Sequence, residues 1–196
     1  SGYFSTIPYF GRIKQKTFLF KGKYINLDKT HKLEKDTIHG EGWVNKWRVI
    51  KIKNSSVNLG FIHNGKQSFP YKYMAQQEFI LNENSLIIKV SIKNIDTYSY
   101  DCGIGFHPWF NLTKYSKIYS NTFNFVELNN NNKLIKKKLY KTNKIFFDIS
   151  QTKIDKTFIN WDGRSELILS NNLNIIINNK KNIKNLHIFS PKGKKF

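Results

Sequence analysis

Ser85-Leu86-Ile87-Ile88-Lys89-Val90-Ser91-Ile92-Lys93-Asn94 is the stretch that decides the fold class of this chain. Leu86, Ile88, Val90 and Ile92 alternate with Ser85, Lys89, Ser91 and Lys93, and only Ile87 breaks the pattern. Side chains on a strand point alternately to its two faces, so this spacing predicts a strand with one buried face. Val57, Leu59 and Phe61 repeat it, as do Leu173, Ile175 and Ile177. Shorter candidates are Thr17–Phe20, Lys23–Leu27, Arg48–Lys53, Gln77–Leu81, Thr122–Leu128, Glu166–Leu169 and Leu186–Phe189. Turn chemistry is expected at Lys21-Gly22-Lys23, His63-Asn64-Gly65, Leu81-Asn82-Glu83-Asn84 and Ser170-Asn171-Asn172. Helical periodicity is scarce. Many short strands joined by polar turns predict an all-β sandwich of antiparallel sheets.

A chain of 196 residues suits one large all-β domain over 1–196 better than two small ones. The 39% of hydrophobic residues suffices for a core, which argues against wholesale disorder. No apolar run approaches the ~20 residues needed to cross a bilayer, and Ser1 to Arg12 has no leader pattern. No membrane partner is expected. The single cysteine, Cys102, excludes an internal disulfide and suits a reducing cytoplasm. Tyr3 to Ile13 is apolar, like protein interior, and Pro191 to Phe196 stops just after a strand candidate. Both ends read as cuts through a longer fold, an N- and C-terminally incomplete domain.

The net charge of +20 raises the question of a nucleic-acid partner. Its make-up argues otherwise. Thirty of the thirty-three basic residues are lysine, with only Arg12, Arg48 and Arg164 supplying the bidentate fork that base readers favour. Asn, Ile, Phe and Tyr abound while Ala75 is the only alanine, a bias that AT-rich codons produce without any ligand. No nucleic-acid partner is expected, and Lys136-Lys137-Lys138 reads as a solvated face. Asn129–Lys133 reads as a loop grown by the same bias.

Three stretches combine glycine or proline geometry with titratable or stacking side chains. In Thr37-Ile38-His39-Gly40, followed by Gly42-Trp43 and Trp47, the glycines permit a tight turn that presents the His39 imidazole. Indole rings nearby suit the C–H-rich face of a sugar; the alternative is a histidine that merely satisfies its own turn. In Gly103-Ile104-Gly105-Phe106-His107-Pro108-Trp109-Phe110, Pro108 pushes His107 toward an extended conformation. Histidine titrates near neutrality, so His107 can give or take a proton, or it is a buried histidine in an aromatic core. The third stretch, Ile154 to Arg164, holds Asp155, which can accept bonds from sugar hydroxyls, and Asp162-Gly163, which reads as a turn. Arg12, in so arginine-poor a chain, has work for its planar fork: a bidentate hydrogen bond or a core ion pair.

Other chemistries lack their motifs. Gly103-Ile104-Gly105 has neither the third glycine nor the helix of a phosphate loop, and no serine sits in a nucleophile elbow. His31, His39, His63, His107 and His187 show no metal-ligand spacing, so neither a metal nor a cofactor is expected.

Taken in order, these segments resemble the aldose 1-epimerase (galactose mutarotase) family. Pro8-Tyr9-Phe10-Gly11-Arg12-Ile13 resembles its Pro-Tyr and Asn-Arg-Ile run, and His39-Gly40 with Trp43 and Trp47 resembles its His-Gly and Trp. Phe69-Pro70-Tyr71-Lys72-Tyr73 through Leu81 resembles its Pro-Phe-x-Phe stretch, and Gly105-Phe106-His107-Pro108-Trp109-Phe110 its Gly-x-His-Pro-Tyr-Phe. Asp155-Lys156-Thr157-Phe158 with Asn160-Trp161-Asp162-Gly163-Arg164, then Phe189-Ser190-Pro191-Lys192-Gly193, complete the series. The resemblance implies a galactose-mutarotase-type β-sandwich that interconverts the anomers of a hexose, its small-molecule partner, as a monomer or weak dimer in the cytoplasm. It implies that His107 is the acid on the ring oxygen, that His39 binds and polarises the same region, and that Arg12 and Asp155 hold sugar hydroxyls. The family's general base, a glutamate after the Pro-x-Gly segment, would fall beyond Phe196. Gly11 stands where the family has asparagine, which puts one sugar contact at issue, and Trp109 replaces tyrosine. Alternatives are a catalytically impaired carbohydrate-binding protein of the same fold, a hexose-6-phosphate 1-epimerase, and a basic nucleic-acid binder.

Overall fold

The computed structural model describes residues 2–66, 68–121, 124–128, 134–139, 144–149, 153–170, 173–179 and 182–191. The loop expected at 129–133, Thr122 of one strand candidate, Asn171-Asn172 and the closing 192–196 lie outside the described residues, as do the side chains of Lys136 to Lys138. Among the described residues the regular structure is strand, with one short 3-10 turn at Lys14–Lys16 and no helix long and apolar enough to cross a membrane. Two compact units share it, divided between Trp109 and Phe110.

Among the described residues ten strands build the first unit: β1 (Gly2–Thr6), β2 (Arg12–Ile13), β3 (Thr17–Phe20), β4 (Lys23–Asn26), β5 (Thr37–Ile38), β6 (Arg48–Lys53), β7 (Ser56–Lys66), β8 (Phe69–Asn82), β9 (Ser85–Asn94) and β10 (Gly105–Trp109). Strands β6, β7, β8 and β9 form one antiparallel sheet in that order, and β1-β10, β2-β5 and β3-β4 form two-stranded ribbons. On β9, Val90 and Ile92 pack against a core containing Phe61, Tyr73 and Ala75, while Lys89, Ser91 and Lys93 face solvent. Leu86 departs from the expected pattern. It pairs with Leu81 at the far end of the β8–β9 hairpin, beyond the core, and is 56% exposed.

Two of the expected turns hold. Lys21 and Gly22 both take positive φ between β3 and β4, as a two-residue hairpin loop requires, and Glu83-Asn84 joins β8 to β9. The turn expected at His63-Asn64-Gly65 does not exist. Strand β7 runs on to Lys66, and Gly65, at φ +72°, instead marks a register shift in the β7–β8 ladder. A glycine with positive φ serves a bulge as well as a turn. His63 therefore points inward from a long strand and is only 2% exposed.

Among the described residues eight strands build the second unit: β11 (Lys117–Asn121), β12 (Asn124–Leu128), β13 (Leu134–Leu139), β14 (Lys144–Asp148), β15 (Ile154–Ile159), β16 (Arg164–Ser170), β17 (Leu173–Asn178) and β18 (Asn185–Ser190). They form two four-stranded antiparallel sheets, in the orders β14-β11-β16-β17 and β13-β12-β15-β18. Along β16, Ser165, Leu167 and Leu169 turn inward while Glu166 and Ile168 do not. Ile118, Ile145, Leu167 and Leu169 of one sheet share a core with Ile154, Phe158 and Ile188 of the other. Two sheets closed over one aliphatic core make a sandwich, as expected. Full burial of Phe158 contributes ~1.5–3 kcal/mol. Asp162-Gly163 is the turn its sequence suggests: Gly163 has φ +95°, and Asp162 Oδ1 accepts the Arg164 N–H at 2.8 Å.

Candidate functional site

The β1–β10 ribbon presents two faces of different character. Register pairs Phe4 with His107 and Ser5 with Phe106. Period two then puts Phe4, His107 and Trp109 on one face, and Tyr3, Ser5 and Phe106 on the other. The second face meets the large sheet: Ser5 donates to Gln77 Oε1 at 2.8 Å, and Tyr3 packs edge-on against Phe79. The first face carries the chemistry. His107 stacks on Phe4, with ring centroids 4.3 Å apart, and on Trp109 at 5.0 Å.

His39 reaches that face from a turn. Ribbon β2-β5 pairs Arg12 with Ile38, and the chain then turns sharply, with His39 at φ +58° and Gly40 at φ +63°. A left-handed conformation costs a non-glycine residue about 1 kcal/mol, so the turn must be held from outside. The His39 N–H donates to Gly11 O at 2.9 Å, the Gly11 N–H donates to His39 Nδ1 at 3.2 Å, and the Gly42 N–H donates to Ile7 O at 3.0 Å. A Cβ on Gly40 would overlap the carbonyl of Ile7, so glycine is required for space as well as for φ. The outcome is a pair of perpendicular imidazoles, His39 and His107, with ring centroids 5.2 Å apart. Phe4, Phe10 and Trp43 set their edges around His39 at 5.3–6.2 Å. Both histidines are half-buried, and Phe10 and Pro108 beside them are exposed.

The two tryptophans part company. Trp43 borders His39 and is steadied by its Nε1 bond to Ile38 O at 3.2 Å, whereas Trp47 turns into the core against Phe61. Arg12 has an ion-pair partner, as one reading of its guanidinium expects, but not in a core. It donates to Glu34 at the surface. That bond holds Glu34 below the ordinary carboxylate range, and the charges of Arg12, His31 and His39 act in the same direction. Burial pushes the Tyr9 phenol upward although it shares a 2.5 Å hydrogen bond with Thr37.

Asp155 lies in the other unit, on β15. Its Oδ1 is 3.3 Å from His187 Nε2 on β18, and His187 Nδ1 lies 2.9 Å from Thr157 Oγ1. Of the four residues singled out from sequence, Arg12, His39 and His107 share the first unit. Five neighbours were not singled out: Phe4, His31, Glu34, Glu41 and His63. His31 leans on Trp43 at 5.3 Å, and Glu41 and His63 form a buried pair at 2.7 Å. For Glu41 a signal existed: an acidic residue directly after His39-Gly40 in a chain with only thirteen. No cluster of three or more metal-ligating side chains occurs among the described residues.

A family model described as Aldose 1-epimerase matches residues 3–196. The uncharacterized protein YphB of Escherichia coli (strain K12) is 26% identical over 115 residues, which cover 59% of this chain and 39% of the relative. A galactose mutarotase-like protein from Clostridium acetobutylicum superposes with a TM-score of 0.81 at 17% identity, over 96% of this chain and 64% of its own. A galactose mutarotase related enzyme from Lactobacillus acidophilus gives 0.77 at 18%, over 99% and 67%. The chain thus spans about two fifths of the Escherichia coli relative and about two thirds of the solved structures. At these identities the structural likeness shows the fold, an antiparallel β-sandwich of the galactose-mutarotase kind.

Proposed function

This chain belongs to the aldose 1-epimerase family, and on that premise we propose that it interconverts the α and β anomers of a hexose such as glucose or galactose. In this reading a base takes the proton of the C1 hydroxyl and the bond from C1 to the ring oxygen breaks. The electron pair stays on that oxygen, which is protonated by His107. Rotation about C1–C2 and the reverse steps give the other anomer. His39 binds and polarises the ring-oxygen region, and Arg12 holds a hydroxyl. The base is a glutamate expected beyond Phe196.

One observation carries the reading: two imidazoles 68 residues apart in the chain lie 5.2 Å from each other, ring edge to ring face, within an aromatic frame. Flat apolar rings such as Trp43 and Trp109 suit the C–H face of a pyranose, and the histidines supply groups that exchange protons near neutral pH. The Arg12–Glu34 pair favours a neutral sugar over a hexose 6-phosphate. An ionised Glu34 cancels the one guanidinium charge next to His39.

Polarimetry on freshly dissolved α-D-glucose and α-D-galactose, with the whole natural protein, is the test. We expect accelerated mutarotation that falls ~10²–10⁴-fold in His107→Ala. Hexose binding without acceleration would mark a sugar-binding protein instead, and faster turnover of glucose 6-phosphate would mark the phosphate-specific enzyme. Tight, steeply salt-dependent binding to nucleic acid in place of sugar would overturn the reading.

A further inference from the structure

Glu41 and His63 are buried to 8% and 2% exposure in the unit that holds the perpendicular pair His39 and His107. Removing a carboxylate and an imidazole from water is costly unless each polar atom finds a partner. Here each does. His63 Nδ1 lies 2.7 Å from Glu41 Oε2, and the other Glu41 oxygen accepts the Ser68 hydroxyl. His63 Nε2 lies 2.6 Å from Phe69 O, which can only accept, so that nitrogen carries a proton. The ring also stacks on Tyr73 at 4.8 Å. Glu41 is thus moored by its side chain to the β7–β8 hairpin.

Its main chain does something different. Two residues before Glu41 is His39, and between them is Gly40, pressed against Ile7 in a left-handed conformation. Two residues after it is Trp43, in a turn whose Val44 and Asn45 N–H groups both donate to Glu41 O, at 3.2 and 2.9 Å. Between the strained histidine and the tryptophan that borders it lie three buried residues, Gly40, Glu41 and Gly42, of which only Glu41 carries a side chain. The hydrogen bonds to Gly11 hold His39 from its N-terminal side; on its C-terminal side the first side-chain anchor in the chain is Glu41.

We propose that the Glu41–His63 pair positions the sugar site, fixing His39 on one flank and Trp43 on the other through a single moored residue. Glu41 and His63 are positioning residues here: they act through His39 and Trp43 and touch no reacting atom. The inference rests on the hexose reading for its consequence, but its structural content stands apart from that reading.

The test compares wild type with Glu41→Gln, which keeps the shape of the side chain and removes its charge. Two quantities are read in parallel: the imidazole Cε1–H resonances, assigned by single-histidine replacement, and hexose affinity by calorimetry. We expect the His39 resonance to move and broaden, that of His187 in the other unit to stay, and hexose binding to weaken about tenfold. Ser68→Ala, which deletes one hydrogen bond to Glu41, is the milder second variant for the case in which Glu41→Gln does not fold. It should move the His39 resonance in the same direction by less. A folded variant with an unmoved His39 resonance and wild-type hexose affinity overturns the inference. If wild type binds no hexose, the functional reading fails, and the His39 resonance alone still decides whether Glu41 positions that ring.

Discussion

Among the described residues each unit shows a histidine paired with a carboxylate, Glu41–His63 and Asp155–His187, and the two pairs are built on opposite terms. In the first unit both nitrogens of His63 face acceptors, the Glu41 carboxylate at 2.7 Å and the Phe69 carbonyl at 2.6 Å. In the second unit His187 sits between Asp155, at 3.3 Å, and the Thr157 hydroxyl, which can donate. With Nε2–H given to Asp155 and Nδ1 accepting from Thr157, a neutral ring satisfies both of these bonds. The carboxylates differ as well. Burial pushes Glu41 up, but the hydrogen bonds from His63 and Ser68, with the charges of His63 and Lys66, more than offset it and leave the group below its ordinary value. The Asp155 side chain is 64% exposed and cannot offset burial at His187, which is pushed below its ordinary range. A histidine–carboxylate pair is therefore not one object. What the second nitrogen meets, and how wet the carboxylate is, decide what it does.

Breaking the pairs one at a time should expose that difference. Glu41→Ala strands His63 in a dry site and should cost ~3–5 kcal/mol by denaturant unfolding. Next in size, Gly40→Ala forces a side chain into the carbonyl of Ile7 at φ +63° and should cost about 2–4 kcal/mol. Hexose affinity should fall with it, since the His39 turn cannot close.

Acid titration should separate the pairs by pH. The depressed value of His187 means that its unfolded form takes up a proton first. Its contribution is full above the ordinary 6.5 and is lost as pH falls from there through the folded value. The depressed value of Glu41 gives a second loss, which begins only below the ordinary 4.5. Stability measured against pH should show both steps, with His187→Asn flattening the upper and Glu41→Gln the lower. An upper step that survives His187→Asn would refute the assignment. The smallest effects belong to the exposed groups. Asp155→Ala and Glu34→Gln should each change stability by under about 1 kcal/mol, measured by denaturant unfolding.

The cores differ in the same spirit. Aliphatic side chains from two facing sheets fill the core of the second unit, while Phe61, Phe69 and Tyr73, joined by Trp47, dominate the first. Tyr73 stacks on His63 where the long strand carries it inward, while the His63 nitrogens are met by the Glu41 carboxylate and the Phe69 main-chain carbonyl.

Much of this was legible in the order of residues. Period-two alternation located the strands around Val57 to Phe61, Ser85 to Asn94 and Leu173 to Ile177 because strand geometry is local. Glycine and proline around His39 and His107 marked both motifs because backbone freedom is local too. The Glu41–His63 pair was not legible. Gly65 serves a turn or a bulge equally well, and only pairing with the neighbouring strand decides which, so His63 read as a loop residue when it is core. Arg12 likewise could not reveal its partner, since Glu34 reaches it by tertiary folding across 22 residues. Sequence alone determined the strands with clear alternation, the all-β class and the two histidine motifs, which follow from periodicity and φ preference; strands such as Gly2–Thr6, Lys117–Asn121 and Lys144–Asp148 carry no such pattern. Tertiary structure decided which side chains meet: that His107 lies against Phe4 and His39, and that a buried acid stands behind the turn. Contact depends on register and burial, and those exist only once the sheets have formed.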